Sequence, residues 1–211
     1  MKAVIISGGK EPSKDLLYRE IKDVDMIIGA DKGCEVLYKY NIKPDYILGD
    51  FDSANEDIIK SIETKALGKI KFKREKDYTD TELAYNLAVE KGADEIILLG
   101  ATGTRYDHAL SNFGLMLRGL KKSIKVKIID DNNYIFLTDK SITLKGNKGN
   151  IISFQAYCEE VKNFNITGAK YNLTNFNLKL GDSITTSNEF LEEEIEITFD
   201  SGIVMILYTN D

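Results

Sequence analysis

Hydrophobic and polar positions follow different patterns in the two parts of this chain. Up to residue 122, short apolar runs that predict strands alternate with segments whose apolar residues recur every three or four positions, as in amphipathic helices. This alternation favours a parallel β-sheet covered by helices on both faces. The predicted strands are Ala3–Ser7, Met26–Ala30, Tyr46–Gly49, Lys69–Lys73 and Glu95–Gly100. The apolar helix positions are Leu16, Leu17 and Ile21, then Val36, Leu37 and Tyr40, then Leu83, Ala84, Leu87 and Ala88, and finally Leu110, Phe113 and Leu117.

After residue 122 the chain becomes rich in β-branched and aromatic residues that alternate with polar ones, and turn signals separate these runs. The predicted strands here are Tyr134–Thr138, Gly149–Ala156, Glu194–Phe199 and Ile203–Tyr208. The predicted fold is therefore α/β, with an N-terminal parallel-sheet domain over residues 1–122 and a C-terminal all-β sandwich over residues 123–211.

Composition narrows the classes of function. The 211 residues include 28 Lys and Arg against 34 Asp and Glu, a net charge of −6, which argues against nonspecific binding of nucleic acid. No apolar run approaches the roughly 20 residues that span a bilayer, so we expect no membrane segment and no signal peptide. Two distant cysteines, Cys34 and Cys158, indicate reduced thiols and a cytoplasmic location. With His108 as the single histidine, a zinc site of His and Cys ligands is not expected.

Aspartates follow four successive predicted strands, at the sheet edge where ligands bind in this class of fold. Asp50-Phe51-Asp52 is the most specific signal for a ligand site among these segments, because in extended backbone the two carboxylates point to the same side. A hard divalent cation such as Mg²⁺, which prefers oxygen ligands and is often shared with phosphate, would relieve their repulsion. The aspartates that follow strands are Asp31, Asp50, Asp52, Asp77, Asp80 and Asp107.

Two of these aspartate segments also have a structural interpretation. Ser53 and Glu56 fit a capping box, so Asp50 and Asp52 would simply precede a helix. Thr79 and Glu82 fit a second capping box, which places Asp80 in the first turn of a helix, where negative charge suits the helix dipole. The functional interpretation depends on several strands delivering carboxylates to one edge.

The segment Gly100–His108 links a predicted strand to a helix. Its glycines permit close approach of the backbone to a ligand, and N–H groups at the helix start attract phosphate. Arg105 adds a permanent positive charge that can bind phosphoryl oxygens through two hydrogen bonds. His108 has a structural role as its alternative, and Ser7-Gly8-Gly9 is a weaker candidate for a phosphate loop.

Residue chemistry alone predicts a Mg²⁺-dependent enzyme that transfers a phosphoryl or diphosphoryl group from a phosphorylated substrate to an acceptor that these residues do not name. Two alternatives remain open. A phosphohydrolase with an aspartyl nucleophile also carries Asp-x-Asp after a strand. A nucleotide-sensing module would bind Mg-ATP through the same aspartates without turnover.

Four segments of the chain together resemble the thiamin pyrophosphokinases in order and spacing. They are Ala30-Asp31-Lys32-Gly33, Gly49-Asp50-Phe51-Asp52-Ser53, Lys76-Asp77-Tyr78-Thr79-Asp80-Thr81-Glu82-Leu83-Ala84 and Gly103-Thr104-Arg105-Tyr106-Asp107-His108. Asn112 continues the last of them, and Thr185-Thr186-Ser187-Asn188-Glu189 looks like the Thr-Ser-Asn segment of that family. The resemblance covers nearly the whole chain. It implies a nucleotide-binding α/β domain followed by a thiamin-binding β-sandwich.

The resemblance also implies a reaction and an assembly. ATP and thiamin would give thiamin diphosphate and AMP, by in-line attack of the thiamin hydroxyl on the β-phosphorus. The active sites of a homodimer would combine the first domain of one subunit with the second domain of the other. The implied Mg²⁺ ligands are Asp50, Asp52 and Asp80, and the implied catalytic residues are these three with Arg105 and Asp107. The implied ATP-binding residues are Asp31, Lys32, Thr79, Arg105 and His108, and the implied thiamin-binding residues are Thr185, Ser187, Asn188 and Phe190, whose ring is the nearest candidate to stack on thiamin.

Overall fold

The computed structural model describes residues 1–51, 55–64, 66–71 and 77–210. The chain divides into two compact units, Met1–Asp131 and Asn132–Asp211. The boundary expected after residue 122 therefore moves to the end of strand β6 (Lys125–Ile129), because this strand pairs in parallel with β5 (Glu95–Leu99) of the first unit. The pattern near residue 122 marks the end of a helix and not the end of a domain.

The first unit is a parallel sheet whose strands alternate with helices, as predicted. The strands lie in the order β6-β5-β1-β2-β3-β4, and their pairs are parallel. Besides β5 and β6, its elements are β1 (Lys2–Ile6), α1 (Lys14–Glu20), β2 (Met26–Ala30), α2 (Gly33–Lys39), β3 (Tyr46–Gly49), α3 (Glu56–Glu63), β4 (Gly68–Lys71), α4 (Asp80–Glu90) and α5 (Tyr106–Lys121).

Strand burial follows position in this sheet. The central strand β1 is buried without interruption from Ala3 to Ile6, as expected for a strand with neighbours on both sides and layers on both faces. The edge strand β4 alternates between half-buried and exposed residues. Within the described residues, none of the helices is long and apolar enough to cross a bilayer.

Helix α5 buries a face that is offset from the one predicted. Leu110, expected in the core, is 66% exposed, whereas Phe113 and Leu117 are half-buried. The buried positions are Asn112, Leu115, Met116 and Gly119. Gly119 explains the rotation, because a Cβ at this position would lie 2.3 Å from Val126 Cγ2 on β6. The absence of a side chain lets the helix approach the sheet along this face.

The second unit is a β-sandwich, which confirms the predicted C-terminal fold. One sheet has the order β12-β9-β14-β7 and the other β11-β10-β13-β8, and the neighbouring strands are antiparallel. Apolar side chains from both sheets, among them Phe154, Phe164 and Ile195, form one core. The strands are β7 (Asn133–Thr138), β8 (Ile142–Lys145), β9 (Ile151–Ala156), β10 (Val161–Thr167), β11 (Leu173–Leu178), β12 (Asn188–Glu189), β13 (Glu194–Thr198) and β14 (Val204–Thr209).

Candidate active site

A cavity of about 900 Å³ lies at the carboxyl ends of β1, β2 and β5, where the topology predicts a ligand. Its wall combines the loops that follow these strands with the first turns of α4 and α5. The residues that line it are Ser7, Gly8, Gly9, Lys10, Asp31, Lys32, Thr79, Asp80, Thr81, Gly100, Ala101, Thr102, Gly103, Thr104, Arg105, Tyr106, His108 and Asn112.

The loops after β1 and β5 run in direct backbone contact along the cavity. The N–H of Gly9 donates to the carbonyl of Gly100 at 2.8 Å, and the N–H of Lys10 donates to the carbonyl of Thr102 at 2.6 Å. A Cβ at Gly9 would lie 2.1 Å from the carbonyl oxygen of Thr102, so this close approach requires glycine. The two glycine segments, each a weak signal by itself, therefore form one structure.

Asp31 and Asp80 both lie against Gly49, the residue that precedes Asp50. A Cβ at Gly49 would lie 3.2 Å from Asp31 Cα and 3.4 Å from Asp80 Oδ1. The N–H of Asp31 donates to the Leu48 carbonyl at 2.9 Å, which ties the end of β2 to β3. The same charges act on a buried thiol: burial raises the pKa of Cys34, and the neighbouring carboxylates of Asp31 and Asp80 raise it further. The predicted meeting of strand-end aspartates is thus present for these two residues.

Phe51, which separates Asp50 from Asp52 in the chain, is not in extended backbone, which corrects the reason given for the paired carboxylates. Phe51 has a φ of 59°, a left-handed conformation that is costly for a bulky residue. Its ring lies 5.5 Å from the Lys69 ammonium of β4. Asp50 is half-buried at the end of β3, whereas Asp52 lies outside the described residues.

The aspartates Asp31, Asp50 and Asp80 do not by themselves form a metal site in the described residues. Among the described residues, no three His, Cys, Asp or Glu side chains are close enough to hold a metal ion by themselves. The predicted metal ligands therefore stay a prediction. Asp80 lies in the cavity wall, Asp50 directly follows β3, and Asp52 lies outside the described residues.

Arg105 and Asp107 bind each other at the mouth of the cavity. The guanidinium donates from Nη2 to Oδ2 at 2.6 Å and from Nε to Oδ1 at 3.2 Å. This pairing lowers the pKa of Asp107 to about 2. Both side chains are exposed, so water screens the pair and it contributes little to stability. Arg105 lines the cavity, and Asp107 is its partner outside the wall.

The remaining predicted residues of the first unit lie in the wall. Lys32 and His108 are both exposed there, which disfavours the structural alternative for His108. Thr79 caps α4 as predicted, because its hydroxyl accepts from the N–H of Glu82 at 3.2 Å. The cap of α3 is Asn55, not Ser53, which lies outside the described residues.

In the second unit, the predicted thiamin-binding residues have different environments. Thr185 is fully buried and donates to the Phe154 carbonyl at 2.5 Å. Ser187 is exposed, has a φ of 55° and donates its N–H to Ser153 Oγ at 2.9 Å. Phe190 is only 1% exposed. Its ring packs 5.9 Å from that of Tyr208 within the sandwich core and offers no exposed face, so the stacking role of Phe190 stays a prediction that its burial disfavours.

Asn188 instead holds an aromatic residue that the sequence analysis missed. Its amide accepts from the N–H of Tyr171 at 3.0 Å and donates to the Tyr171 carbonyl at 2.7 Å. Asn188 is buried, and Tyr171 is 58% exposed. The exposed ring thus belongs to Tyr171, whereas Asn188 fixes its backbone.

Comparison with known proteins decides the family. Residues 17–128 match the protein family described as "Thiamin pyrophosphokinase, catalytic domain". Residues 139–204 match the family described as "Thiamin pyrophosphokinase, vitamin B1 binding domain". The chain is 34% identical to the thiamine pyrophosphokinase of Bacillus subtilis over 209 residues, which is 98% of each protein. This chain belongs to the thiamin pyrophosphokinase family. The family resemblance of its sequence motifs is therefore confirmed.

Solved structures of thiamin pyrophosphokinases agree over the full length. The fold is similar to that of the Bacillus subtilis thiamine pyrophosphokinase, with a TM-score of 0.89, 32% identity and coverage of 100% of both chains. It is also similar to that of the thiamin pyrophosphokinase from Geobacillus thermodenitrificans, with a TM-score of 0.85, 32% identity and coverage of 100% of this chain and 98% of that one.

In this thiamin pyrophosphokinase family member, long-range hydrogen bonds hold wall residues such as Thr81 and Thr102, to which the sequence analysis gave no individual role. The Thr81 hydroxyl donates to Ser7 Oγ at 2.9 Å, and the Thr102 hydroxyl donates to Asp130 Oδ2 at 2.8 Å. Asn112, which did have a signal through the family resemblance, donates to the Ala101 carbonyl at 2.7 Å. These contacts hold the loops that line the cavity.

Proposed function

We propose that this chain binds ATP in the cavity of its first unit and transfers the diphosphate group to the hydroxyl of thiamin, which gives thiamin diphosphate and AMP. Membership of the thiamin pyrophosphokinase family assigns this reaction. The cavity is the observation that supports this location for the ATP site. Asp31, Asp80 and Arg105 line it together with the hydrogen-bonded loops after β1 and β5.

Mg²⁺ is the proposed metal, held by Asp50, Asp52 and Asp80. The donor set fits, because carboxylate oxygens are the ligands that Mg²⁺ prefers, and Asp80 and Asp31 already lie against the residue before Asp50. When bound, the ion supplies positive charge that offsets the charge of the triphosphate.

The chain's own cations and helix ends bind the rest of the triphosphate. Lys32 and His108 lie in the wall, and α5 begins at the cavity, where the positive end of its dipole favours an anion. Arg105 exchanges its exposed Asp107 partner for phosphoryl oxygens, an exchange that costs little because the present pair is screened by water. A carboxylate of the cluster accepts the proton of the thiamin hydroxyl.

Thiamin is proposed to bind at the Ser187–Asn188 segment of the second unit, with the exposed ring of Tyr171 as the stacking surface. As the family resemblance implies, the complete site would combine this segment of one subunit with the cavity of another in a homodimer. A cytoplasmic location belongs to the same proposal, since free thiols at Cys34 and Cys158 suit a reducing compartment.

Product labelling tests the reaction. With Mg²⁺ and thiamin, label on the β-phosphate and label on the γ-phosphate of ATP are both expected in the thiamin product, with AMP released. Transfer of the γ label alone, with ADP formed, would contradict the proposal. Phosphate release without thiamin would support the phosphohydrolase instead, and ATP binding with no turnover would support the nucleotide-sensing module.

Gly9→Ala tests the joined loops. We expect the variant to lose about 1–3 kcal/mol of stability, because its Cβ overlaps the Thr102 carbonyl and the loops must separate. The KM for ATP should rise by about tenfold, or about 1.4 kcal/mol. Denaturant unfolding and steady-state kinetics measure the two effects.

The matched control is Gly114→Ala. Gly114 lies inside α5 and a Cβ there would meet nothing within 4 Å, so this change should stabilise by about 0.5–1 kcal/mol and leave the KM for ATP unchanged. Equal behaviour of the two variants would show that the close approach at Gly9 has no role in the site.

A further inference from the structure

Arg118, near the end of α5, makes three contacts with α4. Its guanidinium donates to Glu82 Oε1 and, at 2.9 Å, to Asn86 Oδ1. The guanidinium carbon lies 5.2 Å from the centre of the Tyr85 ring, which is fully buried. Glu82 and Asn86 are four residues apart, so one planar guanidinium reaches two acceptors on the same face of α4.

These contacts hold the turn of α4 that forms part of the cavity wall. Asp80 and Thr81 line the cavity, and Glu82 follows them in the same first turn. Thr81 ties this turn to the loop after β1 through its hydrogen bond to Ser7. Arg118 ties the same turn to α5, whose own first turns carry His108 into the wall.

We infer that Arg118 is a positioning residue for diphosphate transfer: its bonds to Glu82 and Asn86 clamp the first turn of α4 against α5 and so fix Asp80 relative to Arg105 and His108. The inference rests on the proposed function of the cavity. The Arg118 and Glu82 side chains are 39% and 23% exposed, so water screens this pair less than the exposed pair at the cavity mouth. A catalytic carboxylate displaced by about 1 Å loses about a hundredfold in rate, which makes such a clamp effective.

The clamp predicts a change in kcat and not in general stability alone. Arg118→Met is expected to lower kcat by about tenfold or more, while the KM for thiamin stays within about twofold, because the thiamin segment lies in the other unit. Arg118→Lys should recover little of the loss, since an ammonium cannot match both acceptors as a planar fork does.

Lys127→Met provides a matched control in the same unit. Lys127 binds Glu95 at 2.7 Å, with side chains 24% and 28% exposed, and joins β6 to β5. Glu95 begins β5, at the opposite end of the strand from the cavity. Loss of the Lys127–Glu95 ion pair should lower the melting temperature by an amount similar to that for Arg118→Met. The kcat of Lys127→Met should stay within about twofold of the wild-type value.

Amide exchange gives a readout that does not require turnover. Hydrogen exchange of the peptide containing residues 79–83 should quicken in Arg118→Met and not in Lys127→Met. Glu82→Gln is the second variant if Arg118→Met does not fold, because it keeps the acceptor and removes the charge. It should quicken exchange in the same peptide and lower kcat, both by less than Arg118→Met.

The outcomes separate the two proposals. If the wild type forms thiamin diphosphate and AMP but the Arg118 and Lys127 variants share the same kcat and the same exchange, the clamp is overturned and the proposed function stands. If the wild type has no such activity, the proposed function fails, and the exchange comparison still decides whether Arg118 holds the first turn of α4.

Discussion

Asp80→Asn is expected to lower kcat by about 10²–10³-fold, the effect typical of removing one preorganised electrostatic group from an active site. Asp80 combines a position in the cavity wall with close approach to the residue before Asp50. Its loss removes a carboxylate from the proposed metal site while the shape of the side chain is kept. Asp50→Asn and Asp52→Asn should have effects of the same kind.

The fold should tolerate this change. A negative charge in the first turn of a helix contributes about 0.3–1 kcal/mol, and relief of repulsion from the neighbouring carboxylates acts in the opposite direction. The melting temperature should therefore change little. Steady-state kinetics at saturating ATP and thiamin, together with a melting curve, measure both quantities.

Asp15→Asn is the matched control for Asp80→Asn. Asp15 also lies in the first turn of a helix, α1, but it is exposed and outside the cavity wall. It should show the same small change in stability and wild-type kcat. An Asp80→Asn variant that stays folded and keeps more than about a third of the wild-type kcat would remove Asp80 from the proposed site.

Regular hydrophobic patterns predicted the first unit well. The runs at Met26–Ala30 and Tyr46–Gly49 coincide with β2 and β3 because each is short, apolar and bounded by turn residues. The strand-end rule then placed Asp31 and Asp80 at one edge, which the structure confirms. The predicted face of α5 was offset because the close approach at Gly119 depends on Val126, a contact between elements that periodicity does not contain.

Two strands of the sandwich, β10 and β11, were not predicted because they are rich in asparagine. Strands β10 and β11 contain Asn163 and Asn175, both in the left-handed conformation, and the ladder between them is irregular. Asparagine is depleted in strands, so the sequence pattern gave no prediction here. Side chains replace part of the ladder: Asn165 accepts from the N–H of Asn175 at 2.7 Å, and Asn177 accepts from the N–H of Asn163 at 3.1 Å.

The thiamin segment shows why a neighbouring aromatic is a poor guide to a stacking ring. Asn188 and Phe190 are two residues apart, and both are buried in the unit. Tyr171 is distant in sequence and reaches this segment through its backbone hydrogen bonds with Asn188. The exposed ring could be found only once the pairing of these two segments was known.

Mixing two inactive variants is expected to restore about one quarter of the wild-type activity, if sites are shared in a two-fold symmetric dimer. One variant carries Asp80→Asn in the first unit, and the other carries Tyr171→Ala in the second. Random exchange makes about half of the dimers mixed, and each mixed dimer has one site with both lesions and one with neither. Tyr171→Phe, which keeps the ring, should be active on its own and serves as the control for the second lesion.

The reciprocal mixture distinguishes a shared site from one that is built within a single chain. Wild-type chains are exchanged with chains that carry both substitutions. With shared sites, every site of a mixed dimer has one lesion, so only the wild-type dimers work and activity is about one quarter of that for the wild type alone. With sites built from one chain, each mixed dimer keeps one intact site, and activity is about one half.

Native mass spectrometry of differently tagged chains verifies that mixed dimers form. No recovery in the first mixture together with one half in the second, with mixed dimers present, would disprove the shared site and leave the proposed chemistry unaffected.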